Sequence, residues 1–233
     1  MDDLLNPIAE LREATTHQAA IHLPNKFTAR YLASFQFKAK TLIDIGVAHG
    51  TPELYNLFSD RKLLLIDPIP GTAKLLAAKF GGKLDYQFIE AAVGAAKGVA
   101  TINVMGSKGG KTGILARTQL TNEEVIRQHT VQVTTLDDLL ADVPVPQPFG
   151  LKIDTEGYEL EVLKGARKTL ENTEFVIAEV SVKKRFVNSY RFSEVVSFLG
   201  SQNFELIDIL NFRPRTQRFY DCLFMRYDNR IFG

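Results

Sequence analysis

Apolar residues in this chain gather into short runs, and the stretches between them carry helical spacing. Thr41–Ile45, Lys62–Asp67, Asp85–Ala91 (continuing to Gly94), Phe149–Asp154 and Glu174–Val180 are five- to ten-residue runs bounded by glycine, proline or acids. Runs of that length and flanking read as buried strands. Helical patterns separate them: one starting near Thr51-Pro52, one over Gly71–Phe80, and one over Tyr158–Leu170 with Leu160, Leu163, Ala166 and Leu170 on a single face. Strand and helix in alternation predict an α/β fold on a parallel sheet. Arg191–Leu199 is also helical, whereas Phe204–Leu210 and Phe219–Arg226 follow each other with no helix between them. These two are therefore expected to pair antiparallel at one side of the sheet.

The remaining segments are less regular. Leu4, Leu5, Ile8, Leu11 and Ala14 predict a helix over 3–20, and Phe27, Tyr31, Leu32 and Phe35 a second over Asn25–Phe37. Residues 1–40 thus read as a helical extension, outside an α/β domain of 41–233, that caps the sheet or the substrate mouth and offers a homodimer contact. Gly98–Val104 alternates in character and predicts a hairpin arm or an added edge strand. Met105–Gly113 is polar and glycine-rich, a surface loop or a lid in which Lys108 and Lys111 could meet an anion. Val131–Thr134 reads as a short strand and Leu136–Leu140 as a short helix, while Pro144-Val-Pro-Gln-Pro148 is a stiff connector.

The chemistry sits at strand ends. Strand one runs into Asp44-Ile-Gly-Val-Ala-His-Gly50, where Gly46 and Gly50 bracket a turn whose missing side chains let a ligand approach. Strand two ends in Asp67-Pro68, and Asp67 stands 21 residues after Gly46. An acid about 20 residues beyond a glycine turn is where a Rossmann sheet holds ribose hydroxyls. Ala48 occupies the place of the glycine that makes room for a pyrophosphate, and no Lys-Ser/Thr pair follows. The turn suits a nucleoside without phosphates, of which S-adenosylmethionine is the common one. Asp154 closes strand four, on the side of Lys152 and opposite Phe149, Leu151 and Ile153. Glu156 lies near the start of the following helix, where a carboxylate favours the dipole, and Glu179 ends strand five toward the same crevice.

These strings carry a resemblance. Asp44-Ile-Gly-Val-Ala-His-Gly50, Leu136-Asp-Asp-Leu-Leu140 and Lys152-Ile-Asp-Thr-Glu-Gly-Tyr-Glu-Leu-Glu-Val-Leu-Lys-Gly165 resemble the FkbM-type S-adenosylmethionine-dependent methyltransferases. The last string is the specific one, and Ala91-Ala-Val-Gly94 and Asp221-Cys-Leu-Phe-Met-Arg226 agree with it. The resemblance spans about residues 41–227 and departs at Gly46-Val-Ala48, where the family usually reads Gly-Ala-Asn. It implies a class I methyltransferase fold: a Rossmann-like, seven-stranded mixed sheet with helices on both faces and an antiparallel last strand. It also implies O-methylation of a hydroxyl on a small molecule, sugar or natural product.

The expected site follows. Asp44, Gly46, Val47, Ala48 and Gly50 meet the methionine end of S-adenosyl-L-methionine, Asp67 and Pro68 the ribose, and Glu90, Ala91 and Ala92 the adenine. Transfer from a sulfonium is an in-line displacement that depends on positioning, and a hydroxyl needs a nearby base. Asp154 is the first candidate for that base or for a substrate anchor, with Glu179 beside it. Asp154, Glu156 and Glu179 could instead hold a divalent cation, but no metal ligands are assigned, because a strand tip commonly carries one unpaired acid. A nicotinamide-dependent oxidoreductase and a non-catalytic nucleoside-binding module remain as rivals on the same fold.

Composition narrows the partners. With 233 residues, 45% hydrophobic and 24% charged, the chain suits an ordinary globular α/β protein. Its net charge of +1 gives no bulk attraction to nucleic acid or an anionic membrane. The single Cys222 excludes an internal disulfide, and the opening Met-Asp-Asp lacks the basic and apolar regions of a signal peptide. A cytoplasmic enzyme acting on a small-molecule or carbohydrate hydroxyl is the resulting expectation.

Overall fold

The computed structural model describes residues 25–105, 111–116, 125–211 and 218–232. The expected helix over 3–20 lies outside them, as does much of the glycine-rich segment after Met105. Seven strands form the main sheet: β1 (Thr41–Ile45), β2 (Lys62–Ile66), β3 (Tyr86–Ile89), β8 (Phe149–Ile153), β9 (Thr173–Ser181), β10 (Phe204–Ile209) and β11 (Phe219–Arg226). Their order is β10-β11-β9-β8-β1-β2-β3. The pairs β1–β2, β1–β8, β2–β3 and β8–β9 are parallel, while β11 runs antiparallel to both β9 and β10. This is the mixed sheet of a class I methyltransferase, with its last strand reversed as the missing helix predicts.

Side-chain alternation divides the sheet into two buried faces. Ile43, Ile45, Leu64, Ile66, Leu151, Ile153, Val176 and Ala178 pack on one side under helices Leu136–Asp142, Glu159–Lys164 and Phe192–Ser201. Leu42, Leu63, Leu65, Phe175, Ile177 and Leu223 pack on the other, against helices Ala29–Ala33, Pro52–Leu57 and Thr72–Phe80. The central strands β1 and β8 are buried along their whole length, as parallel strands covered on both faces must be. The described part of the N-terminal segment packs against the sheet. Leu32, Phe37 and Ala39 are buried in the second face, with Phe37 stacked on Phe175 at 4.0 Å. Its apolar residues complete the core, and among the described residues 25–40 none lines the cavity described below.

A second sheet, ordered β4-β7-β5-β6, stands beside the first: β4 (Ala92–Val93), β5 (Gly98–Met105), β6 (Lys111–Gly113) and β7 (Val125–Thr134). The expected arm is therefore a sheet of its own. Strand three ends at Ile89, and Ala92–Val93 leaves it to pair with Val133–Thr134. The strand expected over Val131–Thr134 is ten residues long, and Arg127, Gln128 and Thr130 are exposed, so its outer half carries no apolar period to read. The single helix expected over Tyr158–Leu170 is two, Glu159–Lys164 and Arg167–Glu171. It breaks at Gly165, where a Cβ would collide with the Gly94 carbonyl of the incoming second-sheet strand.

Gly46 fixes the junction of β1 and β8. Its φ is +82°, and a Cβ there would overlap the Asp154 backbone carbonyl. The Asp154 N–H in turn donates to the Ile45 carbonyl at 2.9 Å. Gly82 provides the comparison, with φ +72° and open space around a Cβ. Gly82→Ala should therefore cost only the backbone term of ~1–2 kcal/mol. Gly46→Ala should cost a further ~1–3 kcal/mol for the collision. Urea unfolding of the two variants separates the terms, and equal losses would refute the proposed contact.

Candidate active site

A half-open cavity of about 270 Å³ lies at the carboxyl ends of β1, β2, β8 and β9. Ligands bind in this crevice of open α/β sheets. Its floor is apolar, from Ile45, Ile66, Ile69 and Ala91 to Val93, and the second sheet supplies Ile102, Gly113 and Ile114. Asp67 stands at one side, and Asp154, Thr155, Glu156, Tyr158 and Glu179 at the other. Apolar lining with a few convergent polar groups is the usual make-up of a small-molecule site.

Asp67 is 2% exposed. Its Oδ2 accepts from the Ala48 N–H and its Oδ1 from the Ile69 N–H, both at 2.8 Å, and the Thr72 hydroxyl adds a longer bond of 3.3 Å. Burial pushes the carboxyl up, while these donors pull it back. Asp67 thereby holds Ala48 in a left-handed conformation of φ 45°, which a non-glycine residue adopts only when its neighbours enforce it.

Of the expected contacts, Gly46, Ala48, Asp67, Pro68, Ala91, Ala92, Asp154 and Glu179 line the cavity. Asp44, Val47, Gly50 and Glu90 are not part of that lining, each for a local reason. The Asp44 side chain points into the second face of the sheet, where Oδ2 accepts from Tyr55 at 2.7 Å and Thr51 at 3.0 Å. The Thr51 hydroxyl, at the N-cap position of its helix, makes no cap bond and goes to Asp44. Val47 is buried in the core, and Glu90 is exposed to solvent. At Gly50 a Cβ would meet the Phe80 and Tyr55 rings.

The turn after β8 reassigns a role. Glu156, read as the helix-end carboxylate, has φ 52° and pairs through Oε2 with Arg185 at 2.8 Å. The helix-end acid is Glu159, fully buried, which accepts from the Thr155 and Gly157 N–H groups and from the Tyr190 hydroxyl. Arg185 also reaches Glu179 Oε1 at 2.8 Å, and its guanidinium lies 5.0 Å from the Phe186 ring and 4.7 Å from the Phe219 ring. A cation thus bridges two of the three acids considered for a metal. Among the described residues, no group of three acids, histidines or cysteines is arranged to hold one. Arg185 was not foreseen, because Lys183-Lys-Arg185 reads as an ordinary surface charge run.

The two acids nearest the open space differ. Asp154 has a side chain 38% exposed, with Oδ2 3.3 Å from the Lys152 ammonium. Glu179 has a side chain 12% exposed; desolvation and the Asp154 charge push its carboxyl up to about 9, against the pull of Arg185. Asp221, pushed up to about 6 by burial despite Lys152, lies opposite Glu179 on the neighbouring strand.

The comparisons with known proteins fall on this geometry. Residues 44–206 match the model of the methyltransferase FkbM domain. The chain belongs to this family. Among solved structures, methyltransferase FkbM from Methylobacillus flagellatus superposes with a TM-score of 0.52 at 14% identity, over 87% of this chain and 48% of that one. The fibrillarin pre-rRNA processing protein of Methanococcus jannaschii gives 0.50 at 9% identity, over 82% and 68%. Both show a shared fold alone. Among curated proteins, hexuronic acid methyltransferase AglP of Haloferax volcanii is 43% identical over 51 residues, which is 22% of this chain and 21% of that protein. The chain thus spans about half of its solved family relative and aligns with a fifth of the curated one. Among the described residues no helix is long and apolar enough to cross a membrane.

Burial of these acids makes stability depend on pH. A carboxyl whose pKa is raised on folding contributes stability that is complete below its unfolded value and is lost as pH rises through the folded value. For Glu179 that window runs from 4.5 to about 9, and for Asp221 from 3.8 to about 6. Denaturation midpoints should fall between pH 5 and 9, and Glu179→Gln should flatten the upper part of the decline. An unchanged slope in that variant would remove Glu179 as its source.

Proposed function

We propose that this chain is an S-adenosyl-L-methionine-dependent methyltransferase that methylates a hydroxyl of a small molecule or sugar. The observation that carries the reading is the meeting of a ribose-type acid, Asp67, and two acceptor-side acids, Asp154 and Glu179, on one cavity at the sheet's carboxyl edge. The residues fit the cofactor. Asp67 can receive a ribose diol by yielding its long bond to Thr72, and the apolar floor from Ile66 to Ala91 suits an adenine face. Ala48 occupies the place of the glycine that clears room for a pyrophosphate, which counts against a dinucleotide.

When bound, the cofactor supplies an activated methyl group on a sulfonium. The protein's part is then to bring an oxygen into line and remove its proton. Asp154, the more exposed acid and the one beside an ammonium, takes the proton. Glu179, held by Arg185, faces the same cavity and holds the acceptor through a hydrogen bond. The relative named for hexuronic acid favours a sugar acceptor. A metal-assisted route is not adopted, because Arg185 already joins Glu156 and Glu179.

Calorimetry should detect S-adenosylhomocysteine and not NADH. Asp67→Asn should weaken that binding about tenfold or more, as loss of a hydrogen bond to a charged group removes ~1.5–3 kcal/mol. Asp154→Asn should bind normally and lose turnover on a panel of sugar and small-molecule alcohols. NADH binding, or wild-type affinity in Asp67→Asn, would overturn the assignment.

A further inference from the structure

Lys152 is a cation in the interior of the sheet. Its side chain is 3% exposed, and alternation puts it on the face shared by Asp44, Asp154, Glu179 and Asp221. Burial works against the ammonium, but the carboxylates of Asp154, Asp221, Asp44 and Glu179 outweigh it and hold its pKa above the ordinary lysine range. Asp44 is its cross-strand partner on β1 and gives Oδ2 to Tyr55 and Thr51. Asp221, on β11, takes the Asn211 side-chain amide on its Oδ2. Glu179 is taken by Arg185. Asp154 therefore differs from the others in being both at hydrogen-bond distance from Lys152 and substantially open to the cavity.

We infer that Lys152 is the positioning residue of Asp154. Its ammonium, drawn also toward the charges of Asp221 and Asp44, fixes one carboxylate oxygen of Asp154 and leaves the other to serve the acceptor. The methyl-transfer reading enters only in what Asp154 does; the way it is held stands apart from that reading. Its charged surroundings are Lys152 on its own strand, Asp44 on β1, Glu179 on β9, Asp221 on β11, Glu159 on the following helix, and Arg185 behind Glu179. Lys152 is the cation in direct contact with it.

The test needs no acceptor. In protein labelled with ¹³C at aspartate carboxyls and lysine Cε, the Asp154 signal is identified by its loss in Asp154→Asn, and its titration is followed by NMR. Lys152→Met should raise the Asp154 midpoint by about one unit or more, and Lys152→Arg should keep it near the wild-type value. A midpoint unmoved in Lys152→Met would overturn the proposal. If Lys152→Met does not fold, the reciprocal signal decides. The wild-type Lys152 resonance should show a step at the Asp154 midpoint that vanishes in Asp154→Asn, and absence of that step would be equally fatal. Calorimetry of the wild-type protein with S-adenosylhomocysteine keeps the two questions apart. Absence of binding there would count against the methyltransferase reading and leave the Lys152 link standing.

Discussion

A single ammonium buried where four strands end is the constraint around which the active edge of this sheet is arranged. Lys152 is the fourth residue of β8, on the face of the sheet that carries the second apolar core, and Asp154 together with acids on β1, β9 and β11 offsets its burial. Removing one member of a buried pair typically costs ~3–5 kcal/mol, because the partner charge is left without compensation. The other carboxylates around the lysine each have a hydrogen-bond partner of their own. Asp44 leans on Tyr55 and Thr51, Glu179 on Arg185, and Asp221 on Asn211. Asp154, the member that reaches open space, inherits its position from all of them.

The same economy appears in the glycine turn. Gly46 clears space for the Asp154 backbone, and Gly50 for two aromatic rings. The turn is shaped by the protein's own contacts, and the ligand surface is a by-product of that shape. Asp67 has two tasks at once. It fastens the Ala48 and Ile69 amides, and it presents the remaining acceptor capacity of a carboxylate to the cavity. Methyl transfer asks for this kind of rigidity, since the reaction gains most from a fixed line between oxygen and methyl.

Much of the fold could be read from the sequence because the central strands are buried on both sides. Lys62–Ile66 and Thr41–Ile45 had no other plausible state, and the missing helix before Phe219 announced the reversed strand. The second sheet was legible only in part. Its outer residues, such as Gln128 and Thr130, face solvent and carry no period, so the strand was read as four residues instead of ten. At the site, strand ends marked Asp67, Asp154 and Glu179, since an acid closing an apolar run needs a reason to be there. Asp44 carried the same signal but points to the core, because alternation settles the face and not the purpose. Arg185 and the roof residues Ile102 and Ile114 were invisible, having been brought in by tertiary contacts between segments far apart in the chain. Glu159 was obscured by its neighbour: two acids three positions apart both suit a helix start, and only the structure shows which one stands in the first turn and ties down the loop before it.

The most direct measurement is a crystal structure of the chain soaked with S-adenosylhomocysteine. The account predicts ribose hydroxyls on Asp67, the adenine over the floor formed by Ile66 and Ala91, and the sulfur directed at the gap between Asp154 and Glu179. Ligand density away from this edge, or a sulfur turned from Asp154, would contradict it.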